Sequence, residues 1–255
     1  MSEPRKNVRI TVSYDGRAFF GWQRHPGKPT VQGALEEALS RVVDAPVEVR
    51  GAGRTDRGTH ANGQVASARV PAELDVASLR EALGPLLPSG LTVLAAEPAP
   101  RSFHARMSAV GKRYLYTIYN APKLPPKLEG KVWHVPGALD VAAMQAALPL
   151  LVGEHDFASF ATKANHARKS TVRTVSSFSL THDAPQIVFR IEADGFLYKM
   201  VRNLVRAIVK VGEGRFDQDR LRAILAAKDR HAAPGTAPAS GLCLDEVFYP
   251  EDGDG

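Results

Sequence analysis

Two hydrophobic periods alternate along this chain, and that alternation constrains its fold more than any other feature. Val8-Arg9-Ile10-Thr11-Val12-Ser13-Tyr14 alternates apolar and polar residues strictly, the mark of a strand with one buried face. Asp15-Gly16 ends it as a turn. Thr30 stands as an N-cap before Val31, Leu35, Ala38, Leu39 and Val42, which follow at helical spacing. Val47-Glu48-Val49 and Gln64 to Val70 read as strands, Asp75 opens a helix carrying Leu79 and Leu83, and Leu91 to Ala96 is a strand again. The later part of the chain repeats these kinds of element. Arg113 to Tyr119 alternates as a strand, and Asp140 caps a helix through Leu151. Val172 to Leu180 and Gln186 to Ala193 read as paired strands around Asp183-Ala184-Pro185. Helices follow at Leu197 to Val211 and Asp217 to Ala227, then an Ala/Pro/Gly-rich linker over 231–241 and a last strand, Leu242 to Tyr249. Tight connections favour antiparallel pairing, so the order predicts an α+β fold of two related halves. The halves are expected at 1–105 and 106–250, with 251–255 a disordered tail.

Length and charge narrow the possibilities further. The chain has 255 residues, enough for a core that needs no disulfide or metal staple. Its one cysteine, Cys243, excludes an internal disulfide and a multi-cysteine zinc site. With no apolar leader and no run long enough for a membrane helix, a cytoplasmic protein with no membrane partner is expected. A formal charge of +6 permits an anionic partner without proving one.

Residues 51–60, Gly-Ala-Gly-Arg-Thr-Asp-Arg-Gly-Thr-His, hold the densest polar chemistry. The glycines let the backbone turn sharply and approach a ligand closely. Asp56 sits between Arg54 and Arg57, and positive charge beside a carboxylate favours its ionised form. Such a carboxylate serves as a nucleophile or stabilises a sugar cation. The same residues also suit a loop merely tied down by Arg–Asp pairing and turn chemistry, and spacing leaves both open. Gly51-x-Gly53 lacks the rest of a dinucleotide or triphosphate loop, and there is no HExxH and no Gly-x-Ser-x-Gly. No metal or cofactor is expected.

The blocks around this loop resemble the tRNA pseudouridine synthase A family. Gly51 to Ala61 looks like its signature. Tyr14-Asp-Gly, Gly21-Trp-Gln-Arg24 and Thr30-Val-Gln32 match its opening, and Phe103-His-Ala-Arg106 with Arg113-Tyr-Leu-Tyr116 its middle. Gly153 to Phe157, Phe196 to Asn203 and Gly241-Leu-Cys-Leu244 complete the set in order. Thr59 and Arg206 depart from the pattern. The resemblance implies a pseudouridine synthase fold: a central mixed or antiparallel sheet formed by two related halves, helices on the outer face and a cleft between halves. It implies an isomerase that detaches uracil from its ribose, turns it and rejoins it through carbon, in the anticodon stem-loop of tRNA.

Residue by residue, the resemblance makes Asp56 the nucleophile, at C1′ or at the base, and Arg202 the guanidinium that holds it. Tyr114 would stack on the extracted base and take the C5 proton. Leu244 would pack against that base. Pattern alone also fits Tyr114 in the core with Tyr116 and Ile118, and Arg202 on a solvated helix face. Substrate contacts are further expected from Arg54, Arg24, Lys199 and Arg106. Residues 199–230 hold nine Lys/Arg against four Asp/Glu, and Arg101, Arg106, Lys112 and Arg113 come with no acid between them. Lys163, Arg168 and Lys169 extend this expected RNA-binding surface. A homodimer with tRNA across both subunits is implied as well. Two rivals stand beside this reading: an RNA-binding or chaperone module without chemistry, and a hydrolytic RNA N-glycosylase with Glu192 or Asp194 as proton donor.

Overall fold

The computed structural model describes residues 4–162 and 170–250. Lys163, Arg168, Lys169 and the tail 251–255 lie outside the described residues. The chain divides into two compact units: residues up to Val110 together with those from Cys243 onward, and Gly111–Leu242.

In the first unit, β1 (Arg5–Tyr14) sits between β3 (His60–Pro71) and β4 (Leu91–Ala99), antiparallel to both. α1 (Val31–Val43) and β2 (Val49–Gly51) lie between β1 and β3 in sequence, and β2 joins β3 antiparallel. The alternation read from the sequence is real: Val8, Ile10 and Val12 are fully buried on one face, beside Ala68 and Ala66 of β3. Thr30 caps α1 as expected, its hydroxyl accepting the Gly33 N–H at 3.3 Å. The segment from Asp75 is not all helix. Asp75 accepts the Ala77 N–H and the Ser78 hydroxyl donates to its carbonyl, so a turn precedes α2 (Leu79–Leu83).

The second unit is built on β5 (Gly111–Tyr119), β7 (Gly153–Asp156), β8 (Val172–Asp183) and β9 (Gln186–Ala193), in the spatial order β5-β9-β8-β7 and antiparallel throughout. The short β6 (Trp133–His134) runs parallel to β5. α3 (Val141–Ala147) stops where Pro149 removes a backbone donor, and a 3-10 turn over Leu148–Leu151 completes the expected helix. α4 (Met200–Gly212) buries Met200, Leu204, Ile208 and Val211 along one stripe, and α5 (Gln218–Ala227) buries Leu221 and Ile224.

The final strand, β10 (Leu242–Phe248), differs from expectation in its partner. Sequence order alone assigns it to the second half, yet it runs parallel to β3 of the first unit, with Cys243 opposite His60 and Leu244 opposite Ala61. A strand's hydrophobic pattern fixes its faces but not which edge it joins. Nor is 231–241 a slack linker: its hydroxyl and backbone groups bond throughout the second unit, as described below.

Candidate active site

The Asp56 loop joins β2 to β3 in the first unit, and its neighbours are pinned from several directions. The Thr59 N–H donates to the Asp56 carbonyl at 3.0 Å, closing a four-residue turn in which Gly58 takes φ +81°. A type II turn demands a positive φ at that position, which glycine supplies without strain. Thr55 is buried, its hydroxyl 2.8 Å from the Tyr14 hydroxyl. Gln64 reaches both ends of the arrangement, donating to Tyr14 at 3.4 Å and to the Gly53 carbonyl at 2.9 Å. Burial pushes the Tyr14 hydroxyl well above the usual phenol range. Tyr14 is therefore a neutral strut here.

A second segment clamps the loop from outside. The Trp22 N–H donates to the Thr55 carbonyl at 3.1 Å. Gly21 sits at φ +96°, where a Cβ would come within 2.8 Å of that carbonyl oxygen, so no larger residue allows this approach. His60 accepts the Gly16 N–H on Nδ1 at 3.1 Å. Nδ1 is thus the lone-pair nitrogen, and the Asp15 oxygen 3.4 Å away is a neighbour of it rather than an ion-pair partner. Asp15 pairs instead with Arg17, which lowers its carboxyl from 3.8 to about 2. Leu244 is fully buried one register step beyond His60, so β10 sets it beside the start of β3 and the end of the Asp56 loop. Cys243 next to it has its thiol pushed up to about 12, chiefly by burial, which suits a packing residue and not a nucleophile.

The second unit gathers its own group. Tyr114 lies on the buried face of β5 with Tyr116 and Ile118, its ring meeting Phe196 edge to face at 5.1 Å. Arg202 stands in the first turn of α4 and donates from Nε to the Ala237 carbonyl at 2.7 Å, while the Ala237 N–H returns a bond to the Arg202 carbonyl at 3.3 Å. Neighbours on either side hold that strap. Thr236 donates to Asn203 Oδ1 at 2.7 Å, and the Tyr116 hydroxyl donates to the Pro238 carbonyl at 2.8 Å. Asn203 is fully buried and donates onward to the Phe160 carbonyl at 2.7 Å, and Arg230 reaches Asn203, Thr236 and the Ala233 and Pro234 carbonyls. Burial raises the Tyr116 phenol, and Arg202 and Arg206 oppose that rise. Lys199 caps α4 in a left-handed conformation, φ 61°, with its ammonium 5.0 Å over the Tyr198 ring.

The sequence-derived site residues thus fall into groups. Asp56, Arg54 and Leu244 belong to the loop and its flank, and Arg24 to the segment that clamps it, where Arg24 bridges Glu36 at 3.2 Å. Tyr114, Arg202 and Lys199 belong to the second unit. Arg106 is not with the Asp56 group. It sits in the loop after β4, where the Ala105 N–H donates to Ser67 Oγ, roughly 20 Å up β3 from Ala61 at the usual strand rise. The carboxylates considered for a hydrolytic reaction are already engaged: Glu192 pairs with Arg113 at 2.7 Å, and Asp194 accepts the Thr174 N–H at 3.2 Å. Sequence reasoning named no role for Tyr14, Gln64, Asn203, Thr236 or Arg230. Tyr14 and Asn203 lay inside the matching blocks, but only the fold shows what they bond.

The acid on its braced turn thus belongs to the first unit, with an apolar neighbour supplied by β10, and the Tyr114 and Arg202 group to the second. The family described as tRNA pseudouridine synthase matches residues 10–107 and 147–250. The chain belongs to that family, and it is accordingly an isomerase of uridine in tRNA. A tRNA pseudouridine synthase A of Methylacidiphilum infernorum is 44% identical over 244 residues, covering 96% of this chain and 96% of the relative. One from Solidesulfovibrio magneticus is 47% identical over 249 residues, covering 95% of this chain and 90% of its own. One from Rhodospirillum centenum is 44% identical over 243 residues, covering 94% and 98%.

Proposed function

We propose that this isomerase acts on uridines of the anticodon stem-loop and that Asp56 is its nucleophile. The observation that carries the reading is the construction of the Asp56 turn: Thr55 beside it is bonded to Tyr14 of β1 and to Trp22, and Gly53 to Gln64 of β3. Preorganisation of this kind lets a carboxylate attack without first ordering its own backbone. The carboxylate adds to C1′ as the bond to N1 breaks, or adds to the base. The freed uracil turns, its C5 bonds to C1′, the carboxylate leaves, and the C5 proton is lost while N1 regains one. Tyr114 stacks on the turned base and its hydroxyl relays the C5 proton. Leu244 packs against the base, and Arg202 holds the carboxylate as a guanidinium fork can. Arg54, Arg24, Lys199 and Arg106 contact RNA in this scheme, and the protein works as a cytoplasmic homodimer. The family resemblance and the single cysteine support those last points.

The test uses tRNA tritiated at C5 of uridine. Release of label to water without free uracil is expected, and Asp56→Asn is expected to stop release while keeping tRNA affinity within about twofold. Free uracil in the products would overturn the isomerisation, and an active Asp56→Asn variant would overturn the nucleophile.

A further inference from the structure

A cavity of about 510 Å³ in the first unit lies well away from the Asp56 turn and carries a row of guanidiniums. Its floor is the face of the β1–β3–β2 sheet opposite Val8, Ile10 and Val12. Strand register places the residues: Asn7 faces Arg69, Arg5 faces Pro71, and Arg50 faces Ser67. Diagonal neighbours on adjacent strands stand ~7–8 Å apart, so Arg50, Arg69 and Arg5 form a slanting line at that interval. Arg101 closes the line from the loop after β4.

That wall is built, not draped. Asn7 is buried and donates to the Pro100 carbonyl at 3.1 Å and the Phe103 carbonyl at 2.6 Å, which fixes Arg101 between two anchored residues. Ser67 is buried too and accepts the Ala105 N–H at 3.2 Å. The charge is barely balanced. Arg50 has an exposed partner in Glu48 at 3.2 Å, a kind of pair worth little. Among the described residues, Arg69 and Arg101 have no carboxylate within ion-pair distance. Four guanidiniums that share one carboxylate, Glu48, repel one another until an anion enters. Planar forks repeated at a regular interval suit successive phosphodiesters of one strand, whereas a single small phosphate would engage one or two.

We propose that this arginine groove holds the sugar–phosphate backbone of the tRNA substrate as a second RNA contact, remote from the target nucleotide. Arg69 lies nine residues along β3 from His60, about 30 Å at the strand rise. An RNA that fills both places is therefore gripped at two points on one unit. The inference rests on the chain's being a tRNA enzyme but not on Asp56 being its nucleophile.

Equilibrium binding of full-length tRNA to the intact protein, measured against salt, tests it. The Arg69→Ala/Arg101→Ala double variant is expected to bind about tenfold or more weakly, with the log–log salt slope shallower by about two. Each single variant is expected to lose about half the slope change. Arg80→Ala removes an exposed cation from α2 and serves as the comparison. Unchanged affinity and slope in the folded double variant would overturn the groove, as would an equal loss with Arg80→Ala. Either result would leave tritium release by the parent protein, and its dependence on Asp56, as they were.

Discussion

Arg202 shows at the scale of one residue why a charge-preserving exchange is not conservative. Its Nε hydrogen is spent on the Ala237 carbonyl, which sets the plane of the guanidinium before any substrate arrives. Lysine offers a point charge on a flexible stem and no such plane. Arg202→Lys is expected to lower turnover by about ten- to a hundredfold with tRNA affinity within about twofold, measured by single-turnover tritium release; parental turnover would contradict the positioning role. Asp15 gives a pH dependence whose sign follows from its pairing. Its carboxyl falls from 3.8 to about 2 because Arg17 bonds it, so the stabilisation is full above about pH 4 and is lost as pH drops through 2. The pair is solvent-exposed and therefore weakened by screening. Denaturant melts of Asp15→Asn should accordingly trail the parent slightly at pH 6 and converge with it below pH 2. Neither residue's partner was legible in the sequence. Asp15 read as part of a turn, which it is, but nothing in the local pattern says that it takes Arg17 or that His60 turns its lone pair toward Gly16.

At the scale of elements, strong periodicity was readable and termini were less so. α1 and α4 follow their apolar stripes closely, because burial of such a stripe decides where a helix lies. β7 escaped notice because Gly153-Glu-His-Asp alternates no apolar residues and pairs only as an edge to β8. The strap over 231–241 was misjudged for a related reason. Ala, Pro and Gly deny it a regular element, yet Thr236, Ala237 and Pro238 each bond a different residue of the second unit. Asn203 is the hub. Asn203→Ala would strand the Phe160 carbonyl, the Thr236 hydroxyl and an Arg230 hydrogen, at a cost of about 2–3 kcal/mol in denaturant melts. Thr236→Val keeps the shape and removes the bond to Asn203 and the longer one from Arg230. It is expected to cost about 1 kcal/mol and to speed hydrogen exchange at Ala237 while lowering turnover. Unaltered exchange at Ala237 would show that the strap is held elsewhere.

At the scale of the whole molecule, the α+β class and the isomerase family were both readable from ordered blocks spread over most of the chain. Oligomeric state leaves no comparable local mark. The proposed homodimer predicts a particle of twice the chain mass at micromolar concentration by sedimentation, and a monomer at that concentration would remove it from the scheme. What the blocks did not disclose was that the first unit is discontinuous, its sheet completed by β10 after some 130 residues belong to the other unit. Synthesis runs from the amino end, so the Asp56 turn is made some 190 residues before its apolar flank, Leu244, arrives to pair beside it. A nascent chain that has not yet reached β10 thus owns the acid but lacks the strand that flanks its loop.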